Sequence, residues 1–138
     1  MSKSPNRMLG IILGVVFLAA GMLGFFLTSD TAFVGTTGPR LLDLFEVNPL
    51  QNLLHIASGV VLLLAALVGI RISRVLNGLV GAAYLLLGAV GILISGGNNP
   101  LNIVALDGAD NVLNFAFAVV LLVVALGADR TSPSVAAA

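Results

Sequence analysis

Asn48-Pro49-Leu50-Gln51-Asn52-Leu53-Leu54-His55 is the stretch from which the rest of this chain is read. Asn48 suits a helix N-cap, because its side-chain oxygen accepts a free N–H of the first turn. Pro49 suits the first helical position, where no N–H is needed. The stretch opens the second of four apolar segments. A paler copy, Asp107-Gly108-Ala109-Asp110-Asn111-Val112-Leu113-Asn114, opens the fourth. Nearly all the polar groups able to do chemistry sit in or beside these two stretches.

Working outward, 59% of the 138 residues are hydrophobic and only 9% are charged. Mean hydropathy is +1.13. So few charges do not cover the surface of a water-soluble domain, so lipid must be the solvent over much of it. The formal net charge of zero argues against a nucleic-acid partner. The absence of cysteine excludes disulfides, thiolate metal sites and thiol catalysis. Tyr84 is the one tyrosine and there is no tryptophan, so the interfacial aromatic belt is weak. The length suits a single transmembrane domain over residues 1–138.

Four spans are predicted, at about 8–27, 49–70, 75–94 and 109–128. Lys3 and Arg7 would also make the basic start of a signal peptide. The apolar run Met8–Leu27 is longer than a typical signal core and ends without a clean A-x-A site, so it is read as a span. Thr28 to Val47 is the longest polar connection. Its glycines, threonines and Pro39 read as turn and loop. Leu41 to Val47 reads as a short amphipathic piece on the membrane surface. Arg71-Ile72-Ser73-Arg74 reads as a tight basic turn, and Ser95 to Pro100 as a loop. Leu101 to Leu106 repeats the surface piece. Asp129 to Ala138 reads as a tail.

The basic residues set an expected orientation. Lys3, Arg7, Arg71, Arg74 and Arg130 flank one side, and only Arg40 the other. The positive-inside rule then places both termini in the cytoplasm, in a plasma-membrane, multi-pass protein. Asp30, Asp43, Glu46, Asp107 and Asp110 face outward.

The halves align with each other. Arg7 to Gly24 lies on Arg74 to Gly91 without a gap, and Asn52 to Leu67 lies on Asn111 to Leu126. The registered glycines, arginines and asparagines carry this alignment, since aliphatic residues match easily by chance. The repeat units are about 7–70 and 74–128. Each holds two spans, so the repeat is parallel, about an axis along the membrane normal. The expected fold is an all-α membrane protein, with four transmembrane helices in a compact bundle of two helical hairpins. Gly10, Gly14, Gly21 and Gly24 share a face of the first helix, and Gly81, Gly88 and Gly91 a face of the third. With Gly59 on the second, they are predicted to form close helix contacts; a ligand groove or homodimer seam is the competing reading.

Asn52, His55 and Gly59 share a face of the second helix, and Asp107, Asn111, Asn114 and Ala118 the equivalent face of the fourth. About the expected axis, the two faces would meet near the outer end of the bundle. Asn48, Asn52, His55, Asp107, Asp110, Asn111 and Asn114 are the candidate polar cluster. For His55, an interhelical hydrogen bond to Asn111, Asn114 or a loop carbonyl is preferred over a proton relay, quinone contact or metal ligand. Haem would need a second chain's histidine. Asp107 and Asp110 fit the positive end of a helix dipole better than a calcium loop. Asn77 reads as helix packing. Arg71 and Arg74 are topology signals first and lipid-headgroup contacts second. No catalytic constellation, metal site or cofactor is expected.

Asn48-Pro49-Leu50-x-Asn52-Leu53-x-His55, then Gly59, Arg74, Tyr84-Leu85-x-x-Gly88 and Asp110-Asn111-x-Leu113, together resemble a known family. The chain is similar, over about Arg7 to Gly127, to the small four-span membrane proteins, found chiefly in actinobacteria, catalogued as domain of unknown function 4383. That resemblance implies four spans and a bacterial inner membrane, and implies no activity. Members often carry histidine where this chain has Asn114, and glycine where it has Ala118. A structural or accessory membrane protein, working through helix contacts, a homo-oligomer or a larger membrane complex, is the expected function. A small transporter or channel subunit, with the polar cluster lining a path, is the alternative. A membrane enzyme or redox protein ranks third.

Overall fold

The computed structural model describes residues 4–95 and 99–130. The predicted topology residue Lys3 lies outside the described residues, as does most of the predicted tail.

Four helices follow one another, each started by an identifiable cap. Helix α1 spans Pro5–Leu27; Ser4 Oγ accepts the Arg7 N–H at 3.3 Å, and Pro5 opens the first turn. Helix α2 spans Pro49–Val68, with Asn48 Oδ1 accepting the Gln51 N–H at 2.9 Å. Helix α3 spans Ile70–Ile94, and α4 spans Gly108–Gly127. At the start of α4, Asp107 accepts from the Asp110 N–H, and the Asp110 carboxylate accepts from the Asp107 N–H in return. All four helices are long and apolar enough to cross a membrane.

The tight turn is Gly69 alone. Its φ of 158° and ψ of 174° fall in a region that is essentially glycine's own. The expected turn Arg71-Ile72-Ser73-Arg74 is instead the first turn of α3. Because Gly69 makes the reversal in one residue, these four residues are free to be helical. Ser73 Oγ ties them back, donating to the carbonyls of Ala65 and Gly69 at 3.0 and 2.9 Å.

The expected amphipathic surface piece is a small β-hairpin. Strand β1 (Arg40–Leu41) pairs antiparallel with β2 (Phe45–Glu46). Leu42 and Asp43 both have positive φ, 54° and 58°, and the Leu44 N–H donates to Leu41 O at 3.2 Å. That is the tight turn whose twist suits a hairpin. Leu101 to Leu106 does not copy it. There Asn102 bridges to both backbone groups of Leu106, and Val104 makes an isolated bridge with Gly35. A loop that an asparagine closes has no need of paired strands.

Helix α1 packs mainly on α2, and α3 mainly on α4. Small residues permit it. A β-carbon on Gly14 would lie 2.6 Å from Leu63 and 3.1 Å from Gly59 O. One on Gly81 would lie 3.0 Å from the Leu121 β-carbon. Such close approach is where dispersion holds membrane helices together, since lipid competes equally for apolar surface. The glycine faces are thus occupied within the bundle. Between the pairs, the Phe17 and Tyr84 rings stack with centroids 4.9 Å apart, surrounded by Leu13, Leu62, Ala118 and Leu121. Large apolar side chains such as Phe26, Leu64, Leu86, Leu93 and Val123 point outward and are mostly exposed. In water this surface would drive aggregation; in a bilayer it is the solvated face.

Candidate functional site

Most polar residues of the two opening stretches are buried, with His55 and Asp107 only partly so, but the two polar faces do not meet each other. Each turns to its neighbour in the chain-order pair. Asn52 Nδ2 donates to Thr28 Oγ1 at 3.1 Å, at the end of α1. Asn111 Nδ2 donates to Ser95 Oγ at 2.9 Å, at the end of α3. The physical reason is room. Gly24 and Gly91 leave the space that the two amides fill, so each asparagine lies against its glycine. The tight pairing of α1 with α2 and of α3 with α4 makes those glycines, not the opposite polar face, the nearest partners.

The exception is Gln51, whose Nε2 donates to Asp110 Oδ1 at 3.1 Å and joins α2 to α4. Asp110 therefore serves both the cap of α4 and this link. Asn48 does more than cap α2. Its Nδ2 donates to Gly35 O at 3.1 Å and to Ile103 O at 2.8 Å, tying the first loop to the second. Asp107 stays at its helix start. Among the described residues, no three histidine, cysteine or carboxylate side chains come together as a metal group.

His55 does not make the expected interhelical hydrogen bond. Its ring stacks on Phe17, centroids 5.7 Å apart and planes 19° apart. Its Nδ1 is buried with no partner among the described residues, and so is Asn114 Nδ2. The reason is again geometric. Asn111 is committed to Ser95, and the imidazole lies against the face of the Phe17 ring. His55 and Asp110 both border a cavity of about 220 Å³, walled by Phe17, Phe45, Leu113 and Phe117 and roofed by the β-hairpin. This is below the ~300–1,000 Å³ of sites for drug-sized ligands. It offers an apolar slot with two polar side chains on its rim.

A second polar group lies at the opposite end of the bundle; of its members the sequence reading singled out only Asn77, as helix packing. Asn77 Nδ2 donates to Asn6 O at 2.9 Å and to Asn6 Oδ1 at 3.1 Å, joining α3 to α1. Asn6 Nδ2 reaches Val124 O at 3.2 Å. The Asp129 carboxylate accepts from Ser4 Oγ at 2.6 Å and from the Asn6 N–H at 3.0 Å. Desolvation works against the charge on Asp129. The hydrogen bonds from Ser4 and Asn6, with the nearby positive Arg74, outweigh it and hold the carboxyl below its usual range. Ser4-Pro5, a good cap followed by a good first helical residue, was the available signal that this end is structured.

The arginines also have structural partners. Arg7 Nε donates to Ala66 O at 2.7 Å, and Arg74 Nε donates to Ala125 O at 2.7 Å. Each positive side chain satisfies a carbonyl left free at the end of a neighbouring helix, where the helix dipole favours positive charge. Arg130 sits beyond the end of α4 and reaches back to Leu126 O. Arg71 is exposed.

No curated protein and no solved structure matches this chain. The model of one family, described as Domain of unknown function (DUF4383), matches residues 7–127. With four apolar helices over the same residues, this chain belongs to that family of unknown function.

Proposed function

We propose that the protein is a non-enzymatic, integral membrane protein that acts by contact, as a structural or accessory subunit for copies of itself or for a larger membrane complex. One observation carries this reading: apart from His55 and Asn114, the polar side chains inside the bundle tie helix to helix, as in Thr28–Asn52, Ser95–Asn111, Gln51–Asp110 and Asn6–Asn77. The same reading takes the chain as a duplicated helical hairpin in a bacterial inner membrane, with both termini cytoplasmic. Contacts that recur at matched positions support the duplication: Arg7 with Ala66 and Arg74 with Ala125, Asn52 against Gly24 and Asn111 against Gly91. Crosslinking in native membranes, followed by native mass spectrometry of the purified protein, tests the reading. A reproducible partner or self-assembly supports it, and a strictly solitary chain overturns it.

The second reading is a small transporter or channel subunit. The cavity beside His55 and Asp110 favours it. Against it, the stacked Phe17 and Tyr84 rings fill the centre of the bundle. Flux across liposomes that falls in an Asp110→Asn variant would support this second reading; flux unchanged by that variant removes the polar cluster from any path.

A further inference from the structure

We propose that the recess between the Gly69 turn and the end of α4 binds the phosphate of an anionic phospholipid, independently of the accessory role proposed above. The recess, about 680 Å³, is bordered by Ile70, Arg71, Arg74, Asp129 and Arg130. Three arginines and one aspartate therefore line it. That carboxylate is already engaged by Ser4 and Asn6. Among the described residues the only ion pair joins Arg40 to Glu46, so none of the three recess arginines is neutralised by a salt bridge.

Arg74 is held in place by Nε on Ala125 O, and Arg130 reaches back along α4 to Leu126 O. A guanidinium has five N–H donors, so each keeps donors in hand after that bond. A planar, fixed fork is the geometry that suits a phosphate.

The surroundings point to a lipid as the source of the phosphate. The recess lies at helix ends, at the level of lipid headgroups in a bundle whose helices cross the bilayer. Leu67 and Val68 on α2, Ile72 on α3 and Leu126 on α4 are exposed apolar side chains at the same end. They provide a greasy flank for acyl chains below a bound headgroup, which a free phosphate would not use.

The full-length protein is purified in a neutral detergent and offered phosphatidylglycerol or phosphatidylcholine, with retention read by native mass spectrometry. Wild type retains phosphatidylglycerol preferentially. The Arg71→Gln/Arg130→Gln double variant spares the Arg74–Ala125 bond and keeps the wild-type helical circular dichroism. Its preference falls about thirtyfold, the size expected for two interfacial arginines. Arg40→Gln, which removes one positive charge outside the recess, retains wild-type preference. Millimolar inorganic phosphate does not displace the lipid. Unchanged preference in a folded double variant, or an equal loss in Arg40→Gln, overturns the proposal. Displacement by inorganic phosphate, with phosphate itself retained, also overturns it in favour of a soluble anion.

Discussion

Asn52 lays its side-chain amide against Gly24 so closely that a β-carbon on the glycine would overlap the amide oxygen. The hydrogen that takes that β-carbon's place therefore points at Oδ1. This explains why Oδ1 has no conventional partner among the described residues while Nδ2 donates to Thr28. Asn111 repeats the arrangement on Gly91, with its amide nitrogen on Ser95. A Cα–H···O contact is a weak hydrogen bond, and its recurrence at two helix crossings makes it a consistent account of both orphan oxygens.

Gly24→Ala is expected to lower stability by about 1–3 kcal/mol, the usual cost of overpacking. The added methyl forces either a helix shift or rotation of Asn52 away from Thr28. Asn52→Ala alone is destabilising through the lost bond. The double variant Gly24→Ala/Asn52→Ala should be less damaged than the sum of the two, because the clash is gone. Thermal melting in detergent measures the cycle; strictly additive losses would disprove direct contact.

Gly69→Ala should cost about 1–3 kcal/mol although none of the described residues lies within 4 Å of the added carbon. The loss comes from the backbone, since φ of 158° with ψ of 174° admits almost only glycine. Gly127→Ala is the control. Its β-carbon is equally unopposed, and it sits at the end of a helix without positive φ. It should be neutral or slightly stabilising. Equal melting temperatures for the two variants would show that the Gly69 turn has no special geometry.

How much of this was legible in the sequence differs with the scale. The four spans and the capping role of Asn48 rest on local signals: unbroken apolar runs, and a small polar residue before a proline; Asp107 reads from sequence only as a charge at the start of the fourth helix, and its cap is seen in the fold. The close-contact glycines were legible too, because helical spacing alone puts Gly10, Gly14, Gly21 and Gly24 on one face. The partner of each polar residue was not. Which way Asn52 turns depends on the distance between helices, and Gly24 sets that distance from another part of the chain. His55 was assigned a hydrogen-bond partner it lacks, since sequence does not show that its nearest neighbour is the flat face of Phe17. The polar group of Asn6, Asn77 and Asp129 joins residues from three helices or their ends. Each residue looked ordinary alone, and only the fold brings them together.

His55→Phe is expected to leave stability unchanged or to raise it. Phenylalanine keeps the stack on Phe17 and removes a buried nitrogen without a partner, whose desolvation costs about 1–3 kcal/mol. His55→Ala removes the stack as well and should destabilise by about 2 kcal/mol or more. Melting temperatures of the two variants separate these effects. A marked loss in His55→Phe would mean that the imidazole makes a polar contact in the membrane that phenyl cannot make.

The chain contains no cysteine, so single introduced cysteines report topology without background. Ser29→Cys lies in the exposed turn after α1, and Arg71→Cys lies exposed at the start of α3. If the arginine-rich end is cytoplasmic, a membrane-impermeant maleimide labels Cys at 29 in intact cells and Cys at 71 only after permeabilisation. The opposite pattern would reverse the orientation, and labelling of both in intact cells would contradict a spanning α2.

Asp129 gives the bundle a predictable acid sensitivity. Its folded-state pKa lies below the ordinary carboxylate value. Ionised Asp129 therefore adds stability that is present above the unfolded pKa, about 3.9, and is lost as pH falls through the lower folded value. The groups facing it fix the sign: Ser4 and Asn6 donate to the carboxylate, and Arg74 supplies a positive charge nearby. Asp129→Asn removes that charge and weakens the tie between the start of α1 and the end of α4. Near pH 6 the variant should melt below wild type. As pH is lowered past about 4, the wild-type advantage should shrink and then vanish, because protonated aspartic acid resembles the amide. Melting curves of both proteins from pH 6 to pH 3 measure this. A gap that persists undiminished to pH 3 would mean that Asp129 acts through its shape and not through its charge.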